Sequence, residues 1–387
     1  MKQEPLYIDT PTALSDFCEA IAGAPRIAID TEFLREKTYH ARLCLIQVAT
    51  PEQIACIDPL AIDDLTPLLD RIYDESSLKI LHAARQDIEI LHHLHGRPPA
   101  PIFDTQIAAS VLGHGEQTGY GNLVREVLDI ELEKGHARTD WSRRPLSPEQ
   151  ITYAADDVRY LFALHHRLDA ELGRLGRRDW LEPDFTALSD PQRYQVDSGE
   201  LWRKVSGLRQ LRSGDQLAVL RELVIWREAE AQRSDRPRKW VLDDETLLDL
   251  ARRQPTSEQA LGTIRGLEPR QLQRIGSDLL SAIEQGRAVP EAEQPQVEPR
   301  HTPVADEEAI SDALMALLRQ RAAAAGISPS MLATRRHLER MAAGERDLAL
   351  LSGWRRKVAG EALLDLIEGR SILHIEGSRL LDEVALR

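Results

Sequence analysis

The chain has 387 residues, with 49 basic and 63 acidic side chains and a formal net charge of −14. Its 42% of hydrophobic residues excludes a disordered chain, and at ~150 residues per domain the length predicts two or three domains. The three cysteines form no CxxC pair, which excludes a disulfide framework and favours the reducing cytoplasm. No apolar run reaches the ~18–20 residues of a membrane span, so no membrane association is expected.

The charge is distributed unevenly along the chain. Residues 1–200 hold 34 acids and 20 bases, whereas residues 201–287 hold 13 acids and 16 bases. The first part would repel a polyanion unless bound cations intervened, and the second part would not. The alternative is that the acidic surface simply keeps the protein in solution.

The first half alternates short β-branched runs with amphipathic stretches. Runs at 26–30, 43–48 and 54–58 are separated by loops too short for crossover helices, so they predict an antiparallel meander. We expect further strands at 79–82 and 102–103. Helical patterns cover 65–73, 86–94, the stretch after 104, and 148–172. This order indicates an α/β domain with a mixed sheet over residues 1–200.

Strand signals end near residue 200. Residues 203–287 show three or more helical stretches, and residues 306–370 are predicted to be helical again. Between them, residues 288–305 combine four prolines with acidic residues, which predicts an extended linker. The two C-terminal blocks share a loose order of elements, so we interpret them as one small all-α domain used twice.

Three of the predicted elements carry acids where chemistry could occur. Asp30 and Glu32 end the first long strand and lie on one face of it, which is costly unless a cation lies between them. Asp87 follows a later strand. Tyr153 and Asp157 are four residues apart and share one face of a helix. Taken singly, each is also typical of ordinary surface acids.

Carboxylates are the ligands that Mg²⁺ and Mn²⁺ prefer. Four acids from three elements could hold two such ions ~3.5–4 Å apart, which is the arrangement used for in-line attack on phosphorus. Tyr153 would then orient the attacking water or help to deprotonate it. The sequence therefore predicts a phosphoryl-transfer site, provided that these elements converge.

Five segments of the first half together resemble the DEDDy 3′→5′ exonucleases, and within them the bacterial ribonuclease D subgroup. A sixth segment, 139–146, is similar to that subgroup's loop before the tyrosine helix. Both helical blocks resemble HRDC domains, at 226–228 and 237–238 in the first, and at 332–336 and 353–355 in the second. The five exonuclease-like segments are 27–33, 45–47, 82–87, 103–106 and 153–157.

The resemblance implies a fold and a set of roles. We expect a ribonuclease H-like mixed-sheet domain followed by two all-α HRDC domains, at 203–287 and 306–375. Asp30, Glu32 and Asp157 would ligate the ion that activates the nucleophile, and Asp30 would bridge to a second ion that also involves Asp87. Tyr153 takes the position of the family's tyrosine. The spacing selects Asp157, because helical geometry turns the preceding aspartate ~100° away.

Six further residues are predicted to contact the substrate. Phe33 and Leu34 could wedge beside the terminal base, although core packing fits Phe33 equally well. Trp141, followed by Arg143 and Arg144, offers a stacking plane with phosphate-binding charge, or a buried structural tryptophan. The predicted substrate contacts are Thr31, Phe33, Leu34, His82, Trp141 and Arg143.

These observations predict an exoribonuclease that depends on two Mg²⁺ or Mn²⁺ ions and releases 5′-mononucleotides. The resemblance implies that it trims the 3′ ends of tRNA precursors and other small structured RNAs. A DNA 3′→5′ exonuclease and a non-catalytic RNA-binding protein are the alternatives. The sequence leaves open which RNAs are processed, which metal is used and whether the chain is a monomer.

Overall fold

The computed structural model describes residues 4–133, 135, 139–297 and 304–384. The described residues form two compact units. One comprises residues 1–32, 43–194 and 301–387, and the other comprises residues 33–42 and 195–300. Within the described ranges, no helix has the length and apolarity needed to span a membrane.

The first unit is built on a six-stranded mixed sheet in the order β1-β4-β3-β2-β5-β6. β3 runs antiparallel to β4, as predicted, and β1, β2 and β6 each have a parallel neighbour. β1 was not predicted, because a run of three residues carries no readable period. The strands are β1 (Leu6–Ile8), β2 (Arg26–Leu34), β3 (Arg42–Ala49), β4 (Ile54–Ile57), β5 (Leu78–Leu81) and β6 (Ile102–Asp104).

Among the described residues up to 194, eight helices accompany this sheet. They are α1 (Pro11–Ala20), α2 (Thr66–Ile72), α3 (Arg85–His95), α4 (Thr105–Val111), α5 (Tyr120–Leu128), α6 (Pro148–Arg159), α7 (Leu161–Leu175) and α8 (Glu182–Leu188). The helical pattern predicted over 148–172 is confirmed, but two helices, α6 and α7, cover it instead of one. The series of helical backbone hydrogen bonds is interrupted at Tyr160 (φ −102°, ψ 0°). The N–H of Tyr160 lies 3.2 Å from the Tyr120 hydroxyl and does not continue the helix.

The alternation of side chains along β2 decides which face of the sheet carries the acidic residues. Ile27 and Ile29 belong to a buried core with side chains of α1, α2 and α3. Asp30 and Glu32 have the opposite parity, so they lie on the other face. α6 packs against β4, where the Cys56 thiol donates to the Ile151 carbonyl at 3.7 Å.

The second unit is helical, as predicted. Its helices enclose a separate core, and the absence of a side chain at Gly286 lets α13 approach α9, since a Cβ there would lie 2.4 Å from the Val219 Cα. The helices are α9 (Gly214–Arg233), α10 (Arg238–Val241), α11 (Asp244–Arg253), α12 (Glu258–Leu261) and α13 (Pro269–Arg287). Short 3₁₀ turns cover Leu201–Lys204, Leu208–Gln210 and Glu291–Glu293.

The predicted linker is only partly extended. Val297 packs against the core of the helical unit and Gln294 covers the start of α9 at Gly214, so the first part of this stretch belongs to that unit. Residues 298–303 lie outside the described residues. Val297 helps to anchor this part of the chain, although the composition of residues 288–305 favours an extended spacer.

The C-terminal part of the first unit is mostly helical but ends in a β-hairpin, which corrects the expectation that strands end near residue 200. Two runs of alternating side chains flank Gly377, whose φ of +60° allows the tight turn. The elements are α14 (Ala305–Ala325), α15 (Arg335–Ala342), α16 (Gly353–Arg355), a π-helical stretch (Arg356–Gly360), α17 (Glu361–Ile367), β7 (Ser371–Glu376) and β8 (Arg379–Val384).

This C-terminal part docks on the α7–α8 region of the same unit. The Trp180 and Trp354 rings stack 4.4 Å apart at an angle of 3°. Arg177 lies over Trp180 and donates to the Ala325 carbonyl at 2.5 Å, and Arg355 lies over Trp354. The contact combines ring stacking with cation–π attraction and a charged hydrogen bond.

Candidate active site

Three of the predicted acids meet on the α6 side of the sheet. Carboxylate oxygens of Asp30, Glu32 and Asp157 all lie within 4.8 Å of one another. β2 supplies the first two, and α6 supplies the third. α6 begins at a defined residue because the Ser147 and Gln150 side chains form a reciprocal capping box.

Asp87 reaches the same region from the first turn of α3. Its Oδ1 accepts a hydrogen bond of 2.5 Å from the hydroxyl of Thr31, the residue between the two strand acids. The preceding turn places Ala83 in the left-handed region (φ +55°). Asp104 holds this turn, because it accepts the N–H groups of Ala83 and Ala84 at 3.1 and 2.8 Å.

Burial raises the pKa of each of these acids, and repulsion from neighbouring acids adds to it. Burial is the main cause for all four. The pKa of Glu32 rises to about 8, with repulsion from Asp157 and Asp87 adding to burial. The pKa values of Asp87 and Asp157 rise to about 7, and that of Asp30 rises well above its usual value. A cation that binds at this site would therefore displace protons from the carboxyl groups.

The carboxylates fit a hard divalent cation. Within the described part of the chain, no Lys or Arg forms an ion pair with Asp30, Glu32, Asp87 or Asp157, so the described residues leave their charge unbalanced. An all-oxygen donor set from three elements suits Mg²⁺ or Mn²⁺ better than a soft metal. The donor chemistry of the acidic cluster is therefore suited to a divalent cation.

Tyr153 borders this cluster on its open side. It lines a cavity of about 290 Å³ together with Asp157 and residues of the segment before α6. Burial, and then repulsion from Asp157, raises the pKa of Tyr153 to about 12. The neighbouring Asp156 forms an ion pair with Arg159 at 2.5 Å, which agrees with the predicted choice of Asp157.

The predicted substrate contacts lie in contrasting environments. Thr31 is buried and bonded to Asp87, and the imidazole of His82 lies between Thr105 Oγ1 and the Thr118 carbonyl. Their polar atoms are thus engaged within the protein. Phe33 and Leu34 are half-buried.

Trp141 and Arg143 differ sharply in exposure. The Trp141 ring is 2% exposed, which leaves no face for a base and fits the structural alternative. The Arg143 side chain is 84% exposed and pairs with Asp140 at 3.2 Å. Only Arg143 of the two is accessible to a phosphate group.

Two residues important to the site were not predicted as such. Asp104 organises the turn before α3, and its carboxylate also caps α4 through the N–H groups of Gln106 and Ile107. Tyr120 is half-buried, and its hydroxyl donates to the Asp156 carbonyl at 2.8 Å, next to Asp157. The 103–106 motif already pointed to Asp104, whereas nothing local in sequence connects Tyr120 with α6.

Comparison with known proteins extends this geometry. Residues 5–173 match the model of a 3′-5′ exonuclease family, and residues 216–283 match that of the HRDC domain. Ribonuclease D of Sphingobium indicum is 42% identical over 385 residues, which cover 98% of both chains. The chain belongs to the ribonuclease D family. The family's protein from Gluconacetobacter diazotrophicus is 40% identical and covers 97% of this chain and 96% of its own.

Solved structures agree with this assignment. The crystal structure of Escherichia coli RNase D, described as an exoribonuclease involved in structured RNA processing, matches with a TM-score of 0.82 and 33% identity, covering 95% of this chain and 99% of the other. The catalytic core of RRP6 from Trypanosoma brucei, at 23% identity and a TM-score of 0.57, shares the fold. As a ribonuclease D, the chain is a 3′→5′ exoribonuclease with an RNA substrate, which confirms the predicted fold class and activity.

Proposed function

We propose that this exoribonuclease releases 5′-mononucleotides from the 3′ ends of tRNA precursors and other small structured RNAs, using two Mg²⁺ or Mn²⁺ ions. The observation that carries the proposal is the convergence of the Asp30, Glu32 and Asp157 carboxylates within 4.8 Å, in reach of Tyr153. A scissile phosphate supplies the remaining oxygen ligands in such a site.

Each acid receives a role from its position. Asp30, Glu32 and Asp157 would hold one ion, and Asp30 with Asp87 would hold the other. When bound, the two ions supply a hydroxide at phosphorus and neutralise charge on the leaving 3′ oxygen. The Thr31 hydroxyl donates a 2.5 Å hydrogen bond to Asp87. This bond fixes the carboxylate that would hold the second ion together with Asp30.

Tyr153 would orient the attacking water. Because its pKa is raised to about 12, its phenol stays protonated at neutral pH. A protonated phenol can donate to or accept from water but is a poor general base. This favours the orienting role over the deprotonating role that the sequence left open.

RNA contacts would come from both units. In the first unit, the exposed Arg143 is suited to a phosphate. Phe33 and Leu34, half-buried directly after Glu32 in the chain, remain our proposal for a wedge beside the terminal base, and His82 remains a proposed substrate contact.

In the helical unit, Trp240 is 52% exposed and directly follows the basic stretch that contains Arg236 and Lys239. The nearby acids are engaged within the unit: Glu228 pairs with Arg238, and Asp235 accepts backbone N–H groups. The remaining surface therefore combines positive charge with an open aromatic ring, as single-stranded RNA binding requires.

The domain assignment remains a proposal. We assign residues 1–200 to the exonuclease domain, 203–287 and 306–375 to two HRDC domains, and 288–305 to the connection. In support, each helical block begins with a long helix, α9 or α14, that packs against the last one, α13 or α17. All five proposed site residues come from one chain, so a monomer would suffice for catalysis. We propose that this monomer acts in the cytoplasm.

The decisive experiment is an assay on a tRNA precursor labelled near its 3′ end. We expect stepwise loss of 5′-mononucleotides with Mg²⁺ or Mn²⁺ and none with EDTA. Matched RNA and DNA oligonucleotides serve as controls for sugar preference, since only RNA offers a 2′-hydroxyl. Release of dinucleotides, cleavage from the 5′ end or hydrolysis in EDTA would contradict the proposal.

A binding experiment addresses Trp240. Trp240→Ala should weaken binding of single-stranded RNA by about 1–3 kcal/mol, because one stacked base is lost. Leu94→Ala is the control, since Leu94 is 41% exposed on α3 and apolar but offers no stacking plane. Equal affinities of both variants would remove Trp240 from the RNA surface.

A further inference from the structure

One ion pair holds the segment that leads into α6. The Arg144 guanidinium binds Asp58 in a two-pronged contact, with Nε–Oδ2 at 2.5 Å and Nη2–Oδ1 at 2.7 Å. Asp58 is 2% exposed and also accepts the Tyr7 hydroxyl at 2.5 Å. Burial alone would raise the pKa of Asp58, but the hydrogen bonds from Arg144 and Tyr7 outweigh it and lower the pKa.

The rest of this guanidinium is engaged as well. Nη2 also donates to the Cys44 carbonyl at 2.6 Å, and Nη1 donates to the carbonyls of Trp141 and Arg143 at 2.7 and 2.8 Å. These contacts use the full donor capacity of an arginine. Arg144 therefore has no donor left for an RNA phosphate, in contrast to the phosphate-binding alternative from the sequence.

Trp141 contacts both Arg144 and Tyr153, and so connects the ion pair with the candidate active site. Its carbonyl is held by Arg144, and its indole ring is buried. The ring lies 6.2 Å from that of Tyr153, centroid to centroid, at an angle of 29°. This separation is within the range of favourable aromatic pairs. Tyr153 also lines the cavity, and Trp141 supplies one fixed wall for its ring.

We propose that Trp141 is a positioning residue for Tyr153, and that the group Tyr7–Asp58–Arg144, hereafter the clamp, holds Trp141 in place. This inference rests on the proposed role of Tyr153. The clamp joins β1, the residue after β4 and a β3 carbonyl to the segment before α6. It thereby ties the phenol that orients water to the same sheet that carries Asp30. Displacement of a catalytic group by ~1 Å can cost ~10²-fold in rate.

The first test is Trp141→Phe. The smaller ring leaves Tyr153 room to move, so we expect kcat to fall about 10-fold while KM and RNA affinity change less than about twofold. The matched control is Tyr73→Phe, which removes a buried hydroxyl bonded to the Leu91 carbonyl in the same sheet domain. It should lower thermal stability without lowering kcat.

The second test is a double-mutant cycle with Tyr153→Phe. If Trp141 acts through the Tyr153 hydroxyl, adding Trp141→Phe to Tyr153→Phe lowers kcat by less than about twofold. Independent losses that multiply would overturn the proposal. If Tyr153→Phe alone keeps full kcat, the proposed role of Tyr153 fails instead, which is a different result.

A milder variant keeps the proposal testable if Trp141→Phe does not fold. Asp58→Asn retains an acceptor for Arg144 but loses the charge, so we expect kcat to fall about threefold, again without effect in the Tyr153→Phe background. Melting curves establish that both variants are folded at the assay temperature. An unchanged kcat in folded Asp58→Asn and Trp141→Phe would show that the clamp serves stability alone.

Discussion

Half-buried carboxylates occur in both units, but they are handled in opposite ways. In the helical unit, Asp244 pairs with the buried Arg227 at 2.8 Å. The hydrogen bonds to Asp244 and the attraction of nearby cations together outweigh burial and lower the pKa of Asp244. In the sheet domain, the charged groups among the described residues that shift the pKa of Asp30 and Glu32 are other acids, and both pKa values rise. A half-buried acid with an arginine partner is typical of the scaffold, whereas a cluster of acids without one is suited to a cation.

The largest expected effect is on catalysis. Asp30→Asn should lower the rate of RNA hydrolysis by more than about 10³-fold, because it removes the carboxylate proposed to be shared by both ions. RNA binding, measured by fluorescence anisotropy, should stay within about threefold, because we propose that the helical unit supplies most of the contacts to RNA. Asp244→Asn is the matched control and should keep its rate. Near-normal turnover of Asp30→Asn would contradict the metal assignment.

The next effect concerns Tyr153. Tyr153→Phe keeps the ring and removes only the hydroxyl, so we expect kcat to fall by ~10²–10⁴-fold, the size of a lost proton-handling or water-orienting group. Single-turnover kinetics separate this step from product release. An unchanged rate would reduce Tyr153 to a packing residue and remove the basis for the role of Trp141.

The same chemical change should alter stability in opposite directions. Without metal at pH 8, Asp30→Asn should raise the free energy of unfolding by about 1 kcal/mol or more, because it relieves burial of charge and repulsion from Asp87. Asp244→Asn should lower it by about 1–3 kcal/mol, because Arg227 loses a charged partner. Urea titrations in EDTA measure both. Equal signs would show that the two acids do not differ as described.

The smallest effect is a pH dependence. The folded-state pKa values of Glu32, Asp87 and Asp157 lie at about 7–8, above the ~4 of an unfolded chain. Between these values the folded protein binds more protons than the unfolded one, so stability falls as pH rises. In EDTA, the melting temperature should drop by a few degrees between pH 6 and pH 8.

Magnesium should reduce that slope, because a bound cation replaces the protons. The comparison between EDTA and saturating Mg²⁺ cancels the titration of groups elsewhere in the chain. The same pH slope in both conditions would show that the four acids do not bind the ion.

Much of the site could be predicted from sequence, because its residues follow local rules. The period of a strand places Asp30 and Glu32 on one face, and the period of a helix selects Asp157 over Asp156. Trp141 shows where such rules end. Its sequence neighbours suggest a surface that binds RNA, but the ring is buried, since burial depends on Arg144 meeting Asp58, 86 positions earlier in the chain.

Residue order alone predicted the family, which the comparisons confirm, together with the acids of the candidate site and a sheet domain followed by helical domains, because periodicity and motif spacing are properties of a linear chain. Folding in three dimensions settled the break at Tyr160, the C-terminal hairpin, the anchoring of residues 288–297 and the contact between Trp141 and Tyr153. These features depend on partners far apart in sequence, such as Tyr120 with Tyr160. The free energy of such contacts exists only once the sheet has brought the partners together.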